Sequence, residues 1–184
     1  YLLGDNTAKD AGRLTLNPIA HIDFIGTIIV PLIMLITTHS AFGWAKPVPF
    51  NPYNLKYPRF GPAIVAIAGP LSNLIVVIVS LSVFKLLVPF FDVETSLLMH
   101  FIKALAFLNS ILLIFNLIPI PPLDGSKVLF SFLSGVKYAS FRDSFEKYGP
   151  ITLMSLIIMD QFLDLHLFVM LFNPIIKLVE NVFI

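Results

Sequence analysis

The sequence predicts an all-α protein, a polytopic bundle of membrane-crossing helices, and leaves room for a short extended hairpin at the membrane interface. Charged residues make up 12% of the 184 residues and hydrophobic ones 57%. Soluble domains carry about 25% charge, so this chain has too little to coat a globule in water, whereas a bilayer solvent asks for none. Mean hydropathy is +0.90. Two long apolar runs, 61–84 and 97–118, are each long enough for a hydrocarbon core of about 30 Å, and the first has no charge at all. Length alone predicts one membrane-embedded domain over 1–184.

From the N-terminus, Tyr1-Leu2-Leu3-Gly4-Asp5 has no basic stretch and no cleavage site, so it is not a secretory leader. It reads as the tail of a helix ending at Gly4, a common residue just past a helix C-terminus, and the expectation is a chain that starts downstream of that helix. Residues 1–20 are polar and mixed, with Asn17-Pro18 as a turn signal. The apolar core 24–36 holds Pro31, and with its flanks, 22–38, it is marginally long enough to span.

Residues 39–60 form a loop with prolines at 47, 49, 52 and 58. Trp44, Tyr53 and Tyr57 with Lys46, Lys56 and Arg59 suit the headgroup level of a bilayer. An interfacial loop accounts for that pattern. The sharper alternative is an extended hairpin, residues 43–51, that contacts a substrate.

The span 61–84 is interrupted by Gly69-Pro70, followed by Ser72 and Asn73, and is closed by Lys85, which can snorkel to the interface. Asn73 is either a packing residue or part of a substrate-binding turn. Residues 88–96 make a short polar loop. In the span 97–118, His100 and Lys103 lie near the first end, and Asn109 and Asn116 lie seven apart, on one helix face. Two carboxamides in lipid want partners, and Asn109 suits an interhelical hydrogen bond.

Pro119-Ile120-Pro121-Pro122-Leu123-Asp124-Gly125 ends that span abruptly. A short helix, 126–133, and a solvated stretch, 135–148, follow. Residues 149–184 are apolar but divided by Asp160, Gln161, Asp164 and His166, so that one crossing or two would fit. Lys46, Lys56, Arg59, Lys127, Lys137, Arg142 and Lys147 fall in loops on one side, against Lys9, Arg13 and Lys85 on the other. That asymmetry places the Asp124 side in the cytoplasm.

A net charge of +1 excludes a nucleic-acid partner, because nothing is left over to neutralise phosphates. With no cysteine, disulfides and thiolate metal sites are excluded. Asp124 is the residue to weigh. Pro-x-Asp-Gly is ordinary turn chemistry, and an aspartate before a short helix can cap it. A carboxylate beside a membrane segment is also a functional hypothesis by default.

The run from Asn116 through Pro119, Pro122 and Asp124 to Gly125 resembles the Asn-x-x-Pro-x-x-Pro-x-Asp-Gly signature of the site-2 proteases, peptidase family M50. Shorter segments resemble a bacterial and archaeal branch of it: 12–18, His21-Ile22-Asp23 with Gly26-Thr27, 42–49, and Ala68-Gly69-Pro70-Leu71-Ser72-Asn73. The similarity covers roughly 3–133; residues 134–184 add nothing to it. It implies an intramembrane zinc endopeptidase that cuts membrane protein substrates in or near their spans, in the lipid bilayer of a prokaryotic plasma membrane. It implies Zn2+ bound by two histidines of a His-Glu-x-x-His motif and by the motif aspartate, here Asp124. Such a metal lowers the pKa of its water to about 7 and polarises the scissile carbonyl. Asn116 would donate to the developing oxyanion, and Val48 and Asn73 would contact substrate.

The sequence departs from the family in one respect. Its histidines are 21, 39, 100 and 166, no two of them four apart, so there is no His-Glu-x-x-His. The expectation is an N-terminally incomplete copy, inactive alone. The rival readings are a non-catalytic, partner-binding membrane protein, and a transporter with Asp160, Asp164 and His166 in an ion path.

Overall fold

The computed structural model describes residues 1–15, 17–38, 45–46 and 48–183, and all regular structure among them is helical. The chain divides into two compact units, Tyr1–Gly61 and Pro62–Ile184.

Among the described residues the first unit contains two α-helices. The single turn α1 (Thr7–Asp10) follows Asp5, and α2 (Val30–Thr38) continues a π-helical turn, Phe24–Ile29. Asp23 opens that turn: its carboxylate accepts from the Gly26 N–H at 2.7 Å, and the Thr27 hydroxyl accepts from the Asp23 N–H at 3.1 Å. At about 1.5 Å per residue these described turns fall short of a bilayer core, so the span expected at 22–38 is too short to cross as described. No strand forms among the described residues. Residues 43, 44 and 47 of the expected hairpin lie outside them, and the described Lys46 N–H donates to the His21 carbonyl at 3.0 Å.

Two polar side chains organise this unit. Arg13 is buried and donates to the carbonyls of Ala20 and Lys46, so it is a structural tie rather than the loop cation the sequence suggests. Asp5 is 5% exposed and gathers the Thr7 N–H and hydroxyl, the Asn51 N–H at 2.7 Å and the Asn54 carboxamide at 3.2 Å. These donors, the Thr7 hydroxyl foremost and the Asn51 N–H next, hold its carboxyl well below the usual carboxylate range, against the opposing effect of burial. A depressed folded-state pKa stabilises above the unfolded value, about 3.9, and the benefit is lost as pH falls through the lower folded value. Asp5→Asn should therefore be less stable than the parent at neutral pH. The gap should narrow below about pH 4, as read by unfolding monitored across pH.

The second unit is built on α3 (Gly61–Leu87) and α4 (Leu97–Leu117), the two helices long and apolar enough to cross a membrane. Only 22% and 28% of their apolar windows are buried within the protein. Core helices of soluble proteins hide most of theirs, whereas these two leave most of it exposed. Ser96 starts α4 by accepting from the Met99 N–H. Met99, Ile102, Ala106, Ser110 and Ile114, three or four apart, form its buried stripe. Small residues on this stripe let the helices approach closely. Val77 of α3, Ala106 of α4 and Val179 form one core cluster; Phe84, Met99 and Ile102 form the next.

Beyond α4 come α5 (Asp124–Phe132), α6 (Ala139–Phe162) and α7 (Leu167–Glu180). Helix α7 runs antiparallel to α4: its first turn meets the end of α4 (Phe168 to Phe115, 6.4 Å), and Phe183, just beyond its end, reaches Lys103 (5.7 Å). The solvated stretch and the apolar start at Gly149 fuse into one helix, α6, that runs through Pro150. Asp160 accepts from the Leu167 N–H at 2.7 Å, and Asp164 and His166 are exposed residues with φ of 47° and 58°. Asp164 and His166 therefore belong to an exposed turn between helices, closed by Asp160 from the last turns of α6, rather than to a buried ion path.

Candidate functional site

Helix α4 stops at Leu117 because Pro119, Pro121 and Pro122 cannot continue it. The chain then turns tightly. The Ile120 N–H donates to the Ile118 carbonyl at 2.9 Å, the Leu123 N–H to the Ile120 carbonyl at 3.0 Å, and both the N–H and hydroxyl of Ser126 to the Leu123 carbonyl. Pro121, Leu123 and Gly125 are buried. Asp124 emerges as the first residue of α5.

Three glycines set where this aspartate sits. A Cβ on Gly125 would lie 2.3 Å from the Leu117 carbonyl oxygen and 2.6 Å from that of Ile118, so the first turn of α5 rests directly on the end of α4. A Cβ on Gly149 would lie 2.6–2.9 Å from three ring atoms of Pro121, so α6 seats itself on the proline loop. A Cβ on Gly69 would lie 3.0 Å from Asp124 Oδ2, which puts the Gly69-Pro70 step of α3 against the carboxylate. The helix does not break there: α3 runs on through Pro70, and the Ser72 hydroxyl donates to the Gly69 carbonyl at 2.7 Å.

The Asp124 carboxylate is not used as a cap; Leu123 holds the cap position, and no side-chain cap bond forms. Its place in the first turn of α5 suits a negative charge. Oδ1 pairs with Lys127 Nζ at 3.3 Å, one turn on, and both side chains are about 30% exposed. A pair this exposed contributes at most about 1 kcal/mol, weak enough for another cation to displace. Lys127, which the sequence suggests as a loop cation, lies in α5, and its i, i+3 spacing from Asp124 is the signal by which the pair could be found.

Asn116 sits in the last turn of α4, adjacent to the carbonyl on which Gly125 rests, and is half-buried. No hydrogen bond engages its carboxamide among the described residues, which leaves its donors available. Asn73 is half-buried, one turn beyond Gly69 on the same face of α3. It lies within continuous helix and not in a turn. Asn109 donates to the Leu105 carbonyl of its own helix at 2.8 Å, in place of the interhelical bond expected for it. Val48 belongs to the other unit and is exposed.

Among the described residues, no three His, Asp or Glu side chains come together. His100 bonds the Ser96 carbonyl at 2.9 Å in the first turn of α4, about 24 Å along the helix from Asn116 at 1.5 Å per residue. His21 bonds the Thr15 carbonyl at 3.0 Å, and His166 the Asp164 carbonyl. His39 lies outside the described residues. Zinc hydrolysis takes three protein ligands and an open position; the described residues bring one carboxylate to the place and do not by themselves make that set.

Residues 91–159 match peptidase family M50. The match runs from within the α3–α4 loop into α6, and so includes Gly149 as well as the Asp124 loop. A protein of Bacillus subtilis (strain 168) named "Putative zinc metalloprotease YwhC" is 38% identical over 165 residues, covering 86% of this chain and 70% of the relative. No solved structure matches the chain.

Proposed function

Since the chain belongs to peptidase family M50, we propose that it forms part of an intramembrane zinc endopeptidase that hydrolyses peptide bonds in or near membrane-spanning segments. The observation that carries this reading is Asp124, an uncapped, half-exposed carboxylate locked by backbone contacts at the end of an apolar helix. In this reading Asp124 is one zinc ligand. The histidine pair and its glutamate belong to a His-Glu-x-x-His helix that no part of 1–184 contains, and the protein needs that helix for activity. Asn116 donates its carboxamide to the oxyanion, which a preorganised amide does well in a dry site. The site lies on the cytoplasmic side of a prokaryotic plasma membrane, supported by the lysines and arginines of the adjoining loops.

A helical substrate hides its amides in its own hydrogen bonds, and once unwound in lipid those groups need partners. In our reading the stretch around Val48 offers an edge for strand addition, and Asn73 a polar contact on the Asp124-facing side of α3. Val48→Pro removes one N–H from that edge. With purified protein carrying the family histidines, chelation should abolish cleavage of a membrane-embedded substrate, and Val48→Pro should slow it while leaving zinc content unchanged. Unchanged cleavage of such a substrate by the Val48 variant discards the strand-addition role.

A second reading is a non-catalytic relative that binds membrane partners; zinc content and cleavage of a membrane substrate decide between the two.

A further inference from the structure

We propose that the groove between α4 and the end of α7 is a binding site for one phospholipid whose headgroup carries both a phosphate and a primary ammonium, as in phosphatidylethanolamine. The groove has a volume of about 650 Å³, and its apolar length is formed by Phe107, Leu108, Ile111 and Phe183. From Lys103 to Ile111 it follows α4 for about 12 Å, a run suited to an acyl chain. Its two charges, Lys103 and Glu180, share one end, because α7 descends antiparallel to α4. That end adjoins the polar 88–96 loop, since Phe183 packs on Phe84 and shares with Leu87 and Val93 the cluster of Phe84, Met99 and Ile102. Headgroups lie at that level of a bilayer.

Among the described residues neither charge is matched: neither Lys103 nor Glu180 forms an ion pair. The Lys103 ammonium stands over the rings of Phe84 and Phe183, at 5.5 and 5.7 Å from their centroids. Ring faces hold a cation in place without accepting its N–H donors as an oxygen would, so a phosphate oxygen is the partner it lacks. Glu180 is the last residue of α7, where the negative end of the helix disfavours a carboxylate; a cation arriving from outside relieves that. A phosphate and an ammonium a few ångströms apart above an apolar chain satisfy both residues at once. A phosphatidylglycerol headgroup leaves Glu180 unmatched. Phosphatidylcholine offers a cation without N–H donors.

The test uses the full protein in nanodiscs of equal parts phosphatidylethanolamine, phosphatidylglycerol and phosphatidylcholine with matched chains, and reads the lipids retained by native mass spectrometry. Phosphatidylethanolamine should be retained preferentially. Glu180→Gln should erase its advantage over the other two, and Lys103→Gln, which removes the cation that meets the phosphate common to all three, should lower retention of all of them, each by about two- to fivefold, as for an exposed ion pair. Leu108→Trp, which fills the groove without touching a charge, should lower retention of all three. Equal retention of the three lipids by the parent protein, or a preference that survives all of these substitutions, overturns the proposal. So does a photo-crosslinker at Leu108 that captures protein rather than lipid. None of these outcomes depends on the protease chemistry.

Discussion

Asp124→Ala, in protein carrying the family histidines, should strip the protein of both its zinc and its proteolysis. Asp124 is the one acidic side chain that the proline-stopped end of α4 delivers to this place, and its carboxylate has no structural duty to fall back on: it caps nothing, and its ion pair with Lys127 is solvent-exposed. Removing groups that merely orient a metal ligand costs about 10–100-fold in affinity or activity, so losing a ligand should cost at least about a hundredfold. Stability should change little, because a half-exposed side chain with one weak partner is removed. Metal content after dialysis, cleavage of a membrane substrate and thermal unfolding in detergent together separate a lost ligand from a lost fold. Retention of zinc and activity would falsify the assignment of Asp124. Retention of zinc with loss of activity would move the residue from metal binding to substrate.

The second large effect is expected at Gly125. Its missing Cβ is the space into which the Leu117 and Ile118 carbonyls fit, at 2.3 and 2.6 Å. Both neighbours are backbone, and backbone cannot rotate aside. Gly125→Ala must therefore lift α5 from the end of α4 at a cost of about 1–3 kcal/mol or more, and Asp124 moves with it. The midpoint of unfolding should drop, and zinc affinity should fall in parallel. Gly69→Ala is the informative contrast. Its added methyl would meet the tip of the Asp124 side chain at 3.0 Å and nothing else within 4 Å. A carboxylate tip can swing away, so stability should hold while metal affinity falls. If Gly125→Ala unfolds at the parent temperature, α5 is not seated as described.

Several expectations failed for one reason: local sequence signals were outvoted by neighbours distant in the chain. Gly149-Pro150 reads as a boundary, yet α6 continues through it because the absent Cβ of Gly149 is where Pro121 sits. Gly69-Pro70 reads as an interruption, yet α3 is continuous and places the glycine against Asp124. Asn109 is the opposite case: expected to reach across to another helix, it satisfies itself locally on the Leu105 carbonyl of its own helix. Arg13, read as a loop cation, is buried as a tie between two carbonyls.

What the chain alone determined was its solvent, its two spans and the residue at the proline-broken end of the second. Those follow from quantities that add up along the backbone: apolar length, scarcity of charge, and the inability of proline to donate. What only the folded molecule decided was how Asp124 is held, by Gly125 on α4, by Gly149 on the proline loop and by Gly69 at its carboxylate, and which charges of α4 and α7 find no ion pair among the described residues. A glycine records that something comes close but not what, because contact between separate helices is a property of their packing and leaves no periodic trace in either one.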